Sequence, residues 1–321
     1  MRCFSRPQLT SCRDVLLAGK HRLQLLLQLR NFSQGMDHIE RTADNTRQQE
    51  MSRATVVKMS DLSPSVKGLT LKVHNPDVSF KAGQWLDMFI PGIQTIGGFS
   101  MSSSPHLLKR HRQIELAIKH SRHPPAYWVH SQCQVGSEVE VRVGGDFFFD
   151  PSSTSTRGRC VLLIAGGVGI NPMVSILRHI SDLQEQKQRH QLQQNQHQQN
   201  QPPQQSIAAN DPECPPKACL LYSARTNDEL IFRGDLDDIG KKFSNIRTRY
   251  FITREPSTSG PGVCQRRIKQ EDVEEAVRWL DCKVEQVDVY ICGPGPMIDG
   301  ICLTLTQAGL PLSSIHFERW W

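Results

Sequence analysis

The chain has 321 residues, of which 38% are hydrophobic and 22% are charged, so it has the composition of a globular protein long enough for two domains. Its net charge is +6, but residues 1–33 contain six basic side chains and one acid, which leaves 32 basic and 31 acidic groups in the rest. A body with a net charge of +1 argues against a protein that binds nucleic acid through a basic surface.

The first 33 residues are basic, poor in acids and interrupted in their hydrophobicity. A secretory signal needs an unbroken apolar core, and Lys20, His21 and Arg22 interrupt it here. An amphipathic, Arg-rich N-terminus is typical of a mitochondrial transit peptide, so residues 1–33 predict a location in the mitochondrial matrix. The alternative is an N-terminus that carries no targeting signal. No later segment has the ~18 consecutive apolar residues of a transmembrane segment, so none is expected.

The ten cysteines include no C-x-x-C pair and no spacing typical of a zinc or iron–sulfur site. We therefore predict no metal site.

Before residue 150 the apolar side chains recur at every second position. Residues 67–73, 113–119 and 137–143 alternate apolar and polar side chains, which is the pattern of half-buried antiparallel strands. Several short strands without helices predict a small barrel, placed at residues 34–155.

After residue 159 continuous apolar strands alternate with helical segments. Strands are predicted at residues 160–165, 218–222, 247–252 and 287–291. Helices are predicted over residues 172–180, part of 228–243, 271–280 and 296–307. The fold class that this alternation predicts is an antiparallel β-barrel followed by a doubly wound α/β domain with a parallel sheet, at residues 156–321.

Residues 184–216 are rich in Gln, Asn, His and Pro. Because they have too few apolar side chains to offset the entropy of ordering, we expect a disordered surface insertion. A partner-binding role is the alternative.

A glycine cluster lies between the strand at 160–165 and the helix that follows it. Gly166, Gly167 and Gly169 let the backbone turn sharply and let a phosphate approach, and the helix N-terminus offers N–H groups to a pyrophosphate. Pro172 suits the first turn of that helix. The strand–loop–helix context predicts a dinucleotide site, and the alternative is a tight βα turn.

A second loop, Cys292–Met297, follows the apolar strand at 287–291. Gly293 and Pro294 would let a ring pack closely against the backbone, and Cys292 would bring a thiol near it. Ligands bind beyond the strand ends of open α/β sheets, so this loop is expected beside the first. Taken alone, it would be a rigid turn with a core cysteine.

Together the two motifs resemble the ferredoxin–NADP⁺ reductase superfamily over about residues 60–321. The resemblance implies that NAD(P)H binds here, with NAD favoured and NADP left open by Arg225 and Thr226 in an adenosine-side loop. The implied pyrophosphate contacts are Gly166, Gly167, Val168, Gly169, Ile170, Asn171 and Pro172. The implied nicotinamide contacts are Cys292, Gly293, Pro294 and Met297.

The resemblance also implies an FAD site on the barrel, with a motif of the form R-x-Y-S/T-x-x-S. Here Phe99 keeps the stacking ring, and Ser100 and Ser103 keep the hydroxyls, but Gly97 replaces the arginine that would pair with a phosphate. A second phosphate loop, G-x-x-S/T, should fall at residues 123–126, where both Gly and Ser are absent.

The chain ends on two tryptophans. In such a family Trp321 or Trp320 could cover the flavin until nicotinamide displaces it, with Glu318 as a polar group near the hydride path. The alternative is that both rings anchor the last strand.

The sequence therefore predicts an NAD(P)H-dependent flavin oxidoreductase that passes hydride to FAD and on to an external, unknown acceptor. Ser100, Cys292 and Glu318 are the predicted catalytic residues. The alternative is an NAD(H)-binding sensor or assembly protein that has lost its flavin. Gly97 and Ala126 favour this alternative, because they stand where the flavin motifs have Arg and Ser or Thr.

Overall fold

A computed structural model describes residues 37–152, 158–197, 215–254 and 262–319. Its contacts divide the chain into two units, residues 1–44 and residues 45–321. In the first unit the described part holds a short helix, α1 (His38–Arg41), which Asp37 caps by accepting a 2.9 Å hydrogen bond from the Glu40 N–H. The predicted transit peptide lies outside the described residues.

The second unit begins with an antiparallel sheet of six strands. These are β1 (Arg47–Ser63), β2 (Val66–Val73), β3 (Trp85–Phe89), β4 (Gly97–Ser100), β5 (Gln113–Lys119) and β6 (Glu138–Gly144). Their order is β4-β3-β6-β1-β2-β5, and a bridge between Met101 and Leu116 joins the two edges. The sheet is thus a nearly closed barrel, as predicted.

The longest strand, β1, carries little alternating signal because most of its side chains are exposed or half-buried. Only Ser52, Ala54 and Val56 are buried, and the register shifts between Val56 and Lys58. Such a bulge bends a strand, which lets β1 pair with both β2 and β6 around the barrel.

Two short helices, α2 (Pro105–His111) and α3 (Pro124–Ser131), interrupt the barrel strands. The expectation of a barrel without helices is wrong here. Both helices begin at a proline, whose fixed φ suits the first helical position and whose missing N–H costs nothing there.

The rest of the chain forms a parallel sheet with the order β10-β9-β8-β7-β11-β12. Its strands are β7 (Cys160–Gly166), β8 (Ala218–Ala224), β9 (Ile246–Ile252), β10 (Val263–Cys264), β11 (Val287–Gly293) and β12 (Ile315–Arg319). Its helices are α4 (Ile170–His197), α5 (Arg233–Lys242), α6 (Gln270–Leu280) and α7 (Gly295–Gln307). Separate apolar clusters cover the two faces, so the predicted fold class is confirmed.

Helix α4 has 28 residues and continues to His197. The expected disorder from residue 184 is therefore wrong for residues 184–197, while residues 198–214 lie outside the described residues. Gln, Glu, Lys and Arg are good helix formers. Glu185 also pairs with Arg189 one turn later, at 2.9 Å, and with Lys242 of α5, at 2.5 Å.

Helix α4 also joins the two sheets. Ser175 donates a 2.7 Å hydrogen bond to the carbonyl of Ser103, and Arg178 contacts Glu115 of β5 at 2.7 Å. One turn further on, Asp182 accepts a hydrogen bond from Ser104. These contacts fix the serine segment after β4 against the helix that begins at the glycine loop.

Candidate functional site

The loop after β7 turns the chain away from the sheet at its glycines. Gly167 has a φ of 58°, and Gly167–Gly169 form one 3-10 turn that leads directly into α4. A Cβ on Gly169 would lie 2.3 Å from the carbonyl oxygen of Cys292. Since no side chain can approach a carbonyl that closely, only glycine allows the two loops to meet.

The loop after β11 packs against the first loop. A Cβ on Gly166 would lie 2.8 Å from both Met297 Sδ and Pro294 Cδ. A Cβ on Gly293 would lie 2.6 Å from Met297 Cε. Pro294 and Met297 therefore rest on bare backbone, and the two loops form one continuous wall.

A cavity of about 950 Å³ opens at the carboxyl ends of the parallel strands. Strands β8, β9 and β10 are added in turn on one side of β7, and β11 and β12 are added on its other side, so the strand order reverses at β7. The ligand of an open α/β sheet binds at such a switch point. The wall includes the predicted residues Gly166, Gly167, Val168, Gly169, Gly293, Pro294 and Met297.

The cavity also extends past β8 to β9, which is three inter-strand spacings from β11, or about 14 Å. A helix start with bare glycine backbone lies between its two ends, as a pyrophosphate requires. The residues present therefore fit an extended dinucleotide.

Three predicted pyrophosphate residues, Ile170, Asn171 and Pro172, are buried behind the cavity wall. Asn171 Nδ2 donates a 2.8 Å hydrogen bond to the carbonyl of Ala117 in β5. Asn171 and Ile170, which packs in one cluster with Val66 and Ala117, hold the start of α4 in position against the barrel.

The end of the cavity beyond β8 and β9 is cationic. Arg225 follows β8, Arg254 follows β9, and Arg267 and Lys269 precede α6. Guanidinium groups bind phosphate oxygens in a planar fork, so this end suits the phosphate-bearing side of a nucleotide.

Asp272, in the first turn of α6, fixes the wall segment that carries Arg267 and Lys269. Its side chain is 2% exposed, and it accepts hydrogen bonds from Arg266 and from the Lys269 N–H, the latter at 2.8 Å. Arg249 lies 3.2 Å away. Burial raises the pKa of the carboxyl, but the hydrogen bonds from Arg266 and Lys269 and the charges of Arg266 and Arg249 outweigh it, so the pKa lies below the usual range.

On the other side of the loop Cys292–Met297, called the nicotinamide loop after its predicted ligand, the barrel meets the last strand. Strand β12 runs beside β11 with Glu318 opposite Cys292. Ser100, at the end of β4, donates a 3.3 Å hydrogen bond to Glu318 Oε2. Phe99 beside it is half-buried, and the Cys292 side chain is fully buried.

Of the three predicted catalytic residues, the structure brings Ser100 and Glu318 together. The prediction that Cys292 offers a thiol to the ring is wrong, because its side chain is fully buried in the apolar core and does not line the cavity. The backbone of Cys292 lies one strand spacing away from that of Glu318. Trp320 and Trp321, predicted to cover a flavin, lie outside the described residues.

Ser103 has a different surrounding from the one that the flavin motif implies. The residue is 1% exposed, and its hydroxyl accepts a 3.0 Å hydrogen bond from the Glu115 N–H. The structure places it in the contact between the barrel and α4.

The part of the barrel where the motif implies an FAD diphosphate does not fit one. A Cβ on Gly97 would lie 2.5 Å from Phe99 Cε2 and 2.8 Å from Pro125 Cβ. The first two positions of α3 are Pro124 and Pro125, which have no N–H to donate. The space at Gly97 is thus filled by apolar side chains, and the start of α3 lacks two N–H donors.

In the residues that the structure describes, no helix is long and apolar enough to cross a membrane. Within the same residues, no group of His, Cys, Asp and Glu side chains has an arrangement that could hold a metal ion.

Sequence reasoning missed the cations Lys119, Arg254, Arg267 and Lys269 on the cavity wall. Arg254 follows the end of the predicted strand at 247–252, and this position was the one available signal. Lys119 comes from the barrel and pairs with Glu229 at 3.5 Å, so only the docking of the two sheets brings it to the cavity.

Comparisons with known proteins show which proteins this chain resembles. Residues 163–303 match the family model of the oxidoreductase NAD-binding domain. The chain is 42% identical over 294 residues to oxidoreductase NAD-binding domain-containing protein 1 of Bos taurus, covering 89% of this chain and 85% of that protein. It is 28% identical over 271 residues to the phenol 2-monooxygenase reductase component DmpP of Pseudomonas sp. (strain CF600), covering 84% and 65%.

The fold is similar to that of a ferredoxin NADP⁺ reductase from Neisseria gonorrhoeae with bound FAD and NADP. The TM-score is 0.61 at 15% identity, and the match covers 85% of this chain and 100% of that chain. The chain therefore has the ferredoxin–NADP⁺ reductase fold and belongs to the family of oxidoreductase NAD-binding domain-containing protein 1.

Proposed function

We propose that the chain is an NAD(P)H-dependent oxidoreductase that delivers hydride from a nucleotide in the cavity to an acceptor ring at Phe99 and Ser100. The observation that carries the proposal is the hydrogen bond between Ser100 and Glu318. It joins the edge strand of the barrel to the strand beside the nicotinamide loop, so a donor and an acceptor ring would meet there.

The two loops supply the binding contacts. The turn at Gly167–Gly169 and the start of α4 offer N–H groups and a positive dipole end to the pyrophosphate. Pro294 and Met297 form an apolar wall for the nicotinamide ring. Arg254 and Arg267 would contact phosphate at the adenosine end.

A bound dihydronicotinamide supplies the hydride. The chain supplies position, because both loops are held by backbone contacts, and a proton path, because the Ser100 hydroxyl and the Glu318 carboxylate share a hydrogen bond.

A second candidate function is nucleotide sensing without redox chemistry. The observation that favours it is the filled phosphate region at Gly97, Phe99 and Pro125, because a barrel that holds no flavin has nothing to reduce.

One experiment separates the two. The purified chain is titrated with NADH and NADPH by fluorescence, and nucleotide oxidation is then followed with riboflavin, FMN and FAD. Saturable binding together with flavin-dependent oxidation supports the oxidoreductase. Binding without oxidation by any flavin would establish the sensor instead, and failure to bind either nucleotide would contradict both.

We also propose a location in the mitochondrial matrix, supported by the basic, acid-poor composition of residues 1–33. A fluorescent protein fused behind residues 1–40 should enter mitochondria, whereas diffuse cytosolic fluorescence would contradict the proposal.

A further inference from the structure

The N-terminus of α3 has little capacity to bind phosphate. Its first two residues, Pro124 and Pro125, have no N–H, and the Tyr127 N–H donates to the carbonyl of His123 at 2.9 Å. Only the Ala126 N–H is left in the first turn, and the Ala126 side chain is 4% exposed and carries no hydroxyl. A helix start normally offers several free N–H groups to an anion.

The neighbouring strand closes the same region. The backbone of Gly97 is covered by the Phe99 ring and by Pro125, which would lie 2.5 Å and 2.8 Å from any Cβ placed there. Pro125 thus both removes a donor and fills the space that a cationic side chain at position 97 would need. Gly97 therefore supplies no cationic side chain to the diphosphate of FAD, and the exposed Arg122 and His123 are the cations that precede α3.

The groups suited to a flat heteroaromatic ring are nevertheless present. Phe99 is half-buried and offers an aromatic surface, and the hydroxyl of the next residue, Ser100, is hydrogen-bonded to the Glu318 carboxylate. This structure therefore keeps the groups that would contact the isoalloxazine ring of a flavin and lacks the contacts at Gly97 and at the helix start that would bind its diphosphate.

We infer that the acceptor is a flavin bound by its isoalloxazine ring alone, which enters as a diffusible substrate and leaves after reduction. The inference rests on the proposed function and names its substrate class. NADH gives a hydride to the flavin, and one proton is taken up through Glu318 and Ser100, so NADH, H⁺ and flavin become NAD⁺ and dihydroflavin.

The test uses the full chain purified with added FAD and passed through gel filtration. We expect the protein to elute without stoichiometric flavin. We also expect kcat/KM for NADH oxidation to agree within about threefold among riboflavin, FMN and FAD, because Pro124 and Pro125 have no N–H and Gly97 has no cationic side chain to offer a phosphate. Retention of one FAD per chain, or a preference for FAD over riboflavin of more than about tenfold, would overturn the inference and leave the proposed function intact.

The variant Pro125→Ala restores one N–H at the helix start. It should improve kcat/KM for FMN and FAD several-fold relative to riboflavin, about the value of one hydrogen bond to phosphate. Pro105→Ala adds an N–H at the start of α2 and is the matched control, which should change no flavin preference.

If kcat/KM of the Pro125→Ala variant stayed equal for the three flavins, the region at Gly97 and Pro125 would not be the place where a flavin phosphate would bind. Oxidation with none of the flavins, despite nucleotide binding, would overturn both the inference and the proposed function.

Discussion

The hydroxyl of Ser100 donates a 3.3 Å hydrogen bond to Oε2 of Glu318, which joins the barrel edge strand to the last strand of the parallel sheet. Because Glu318 lies opposite Cys292 in the register of β11 and β12, this bond also ties the barrel to the nicotinamide loop. The Ser100 hydroxyl and the Glu318 carboxylate, which can pass a proton between them, therefore lie at the boundary between the two sheets.

Glu318→Gln should keep the shape of this contact and remove the proton acceptor. We expect kcat for NADH oxidation with flavin to fall by about tenfold or more, while the dissociation constant for NADH stays within about twofold. Steady-state kinetics and fluorescence titration give the two values. Glu285→Gln, at an exposed carboxylate, is the control and should change neither. An unchanged kcat in Glu318→Gln would remove Glu318 from the proposed reaction.

Gly169→Ala tests the meeting of the two loops. Its Cβ would lie 2.3 Å from the Cys292 carbonyl, so the loops must separate. We expect a loss of about 1–3 kcal/mol in the free energy of unfolding and at least about tenfold weaker nucleotide binding.

Urea unfolding and NADH titration provide the measurements. Gly234→Ala is the matched control, since a Cβ there has nothing within 4 Å and Gly234 lies inside α5. It should leave binding unchanged and stabilise the chain by up to about 1 kcal/mol. Normal binding by Gly169→Ala would show that the loops do not need this approach.

Asp272 gives the protein a predicted sensitivity to acid. Its pKa is lowered in the folded chain, so its stabilising contribution is fully present above the unfolded pKa of about 3.9 and is lost as the pH falls through the lower folded value. Asp272→Asn should destabilise the chain by about 1–3 kcal/mol at neutral pH, because it removes the charge that Arg266 and Arg249 face.

The difference between the original chain and Asp272→Asn should shrink as the pH is lowered from about 5 towards 2, measured by urea unfolding. Asp238→Asn removes an exposed carboxylate whose partner is Lys241 and should cost under about 0.5 kcal/mol. A difference that does not depend on pH would mean that Asp272 acts through shape alone.

The cationic end of the cavity should discriminate between nucleotides. The double variant Arg254→Ala/Arg267→Ala removes two guanidinium groups from the wall beyond β9. We expect NADPH binding to weaken by about tenfold or more and NADH binding by about threefold, because the additional phosphate of NADPH would lose its cationic partners. Titrations with both nucleotides measure this, with the exposed Arg278→Ala of α6 as the control. Equal weakening would place these arginines away from the additional phosphate.

Local pattern was sufficient to predict much of this fold. The apolar run at 160–165, the glycines after it and the alternating segment at 113–119 each carry their structure within a few residues, and β7, its loop and β5 agree with those predictions. Helix α4 beyond residue 184 was not predicted, because a polar segment acquires helical stability from contacts such as that between Glu185 and Lys242.

By itself, the sequence determined the order of the two sheets and the position of the nucleotide loops. The spacing of apolar side chains and the backbone preferences of glycine and proline each depend on only a few neighbouring residues. Tertiary structure alone decided that Ser100 contacts Glu318, that Lys119 reaches the cavity and that Pro125 fills the space above Gly97. These relationships join residues that are far apart in the chain or on different elements. They follow from strand register and sheet docking, which single residues do not encode.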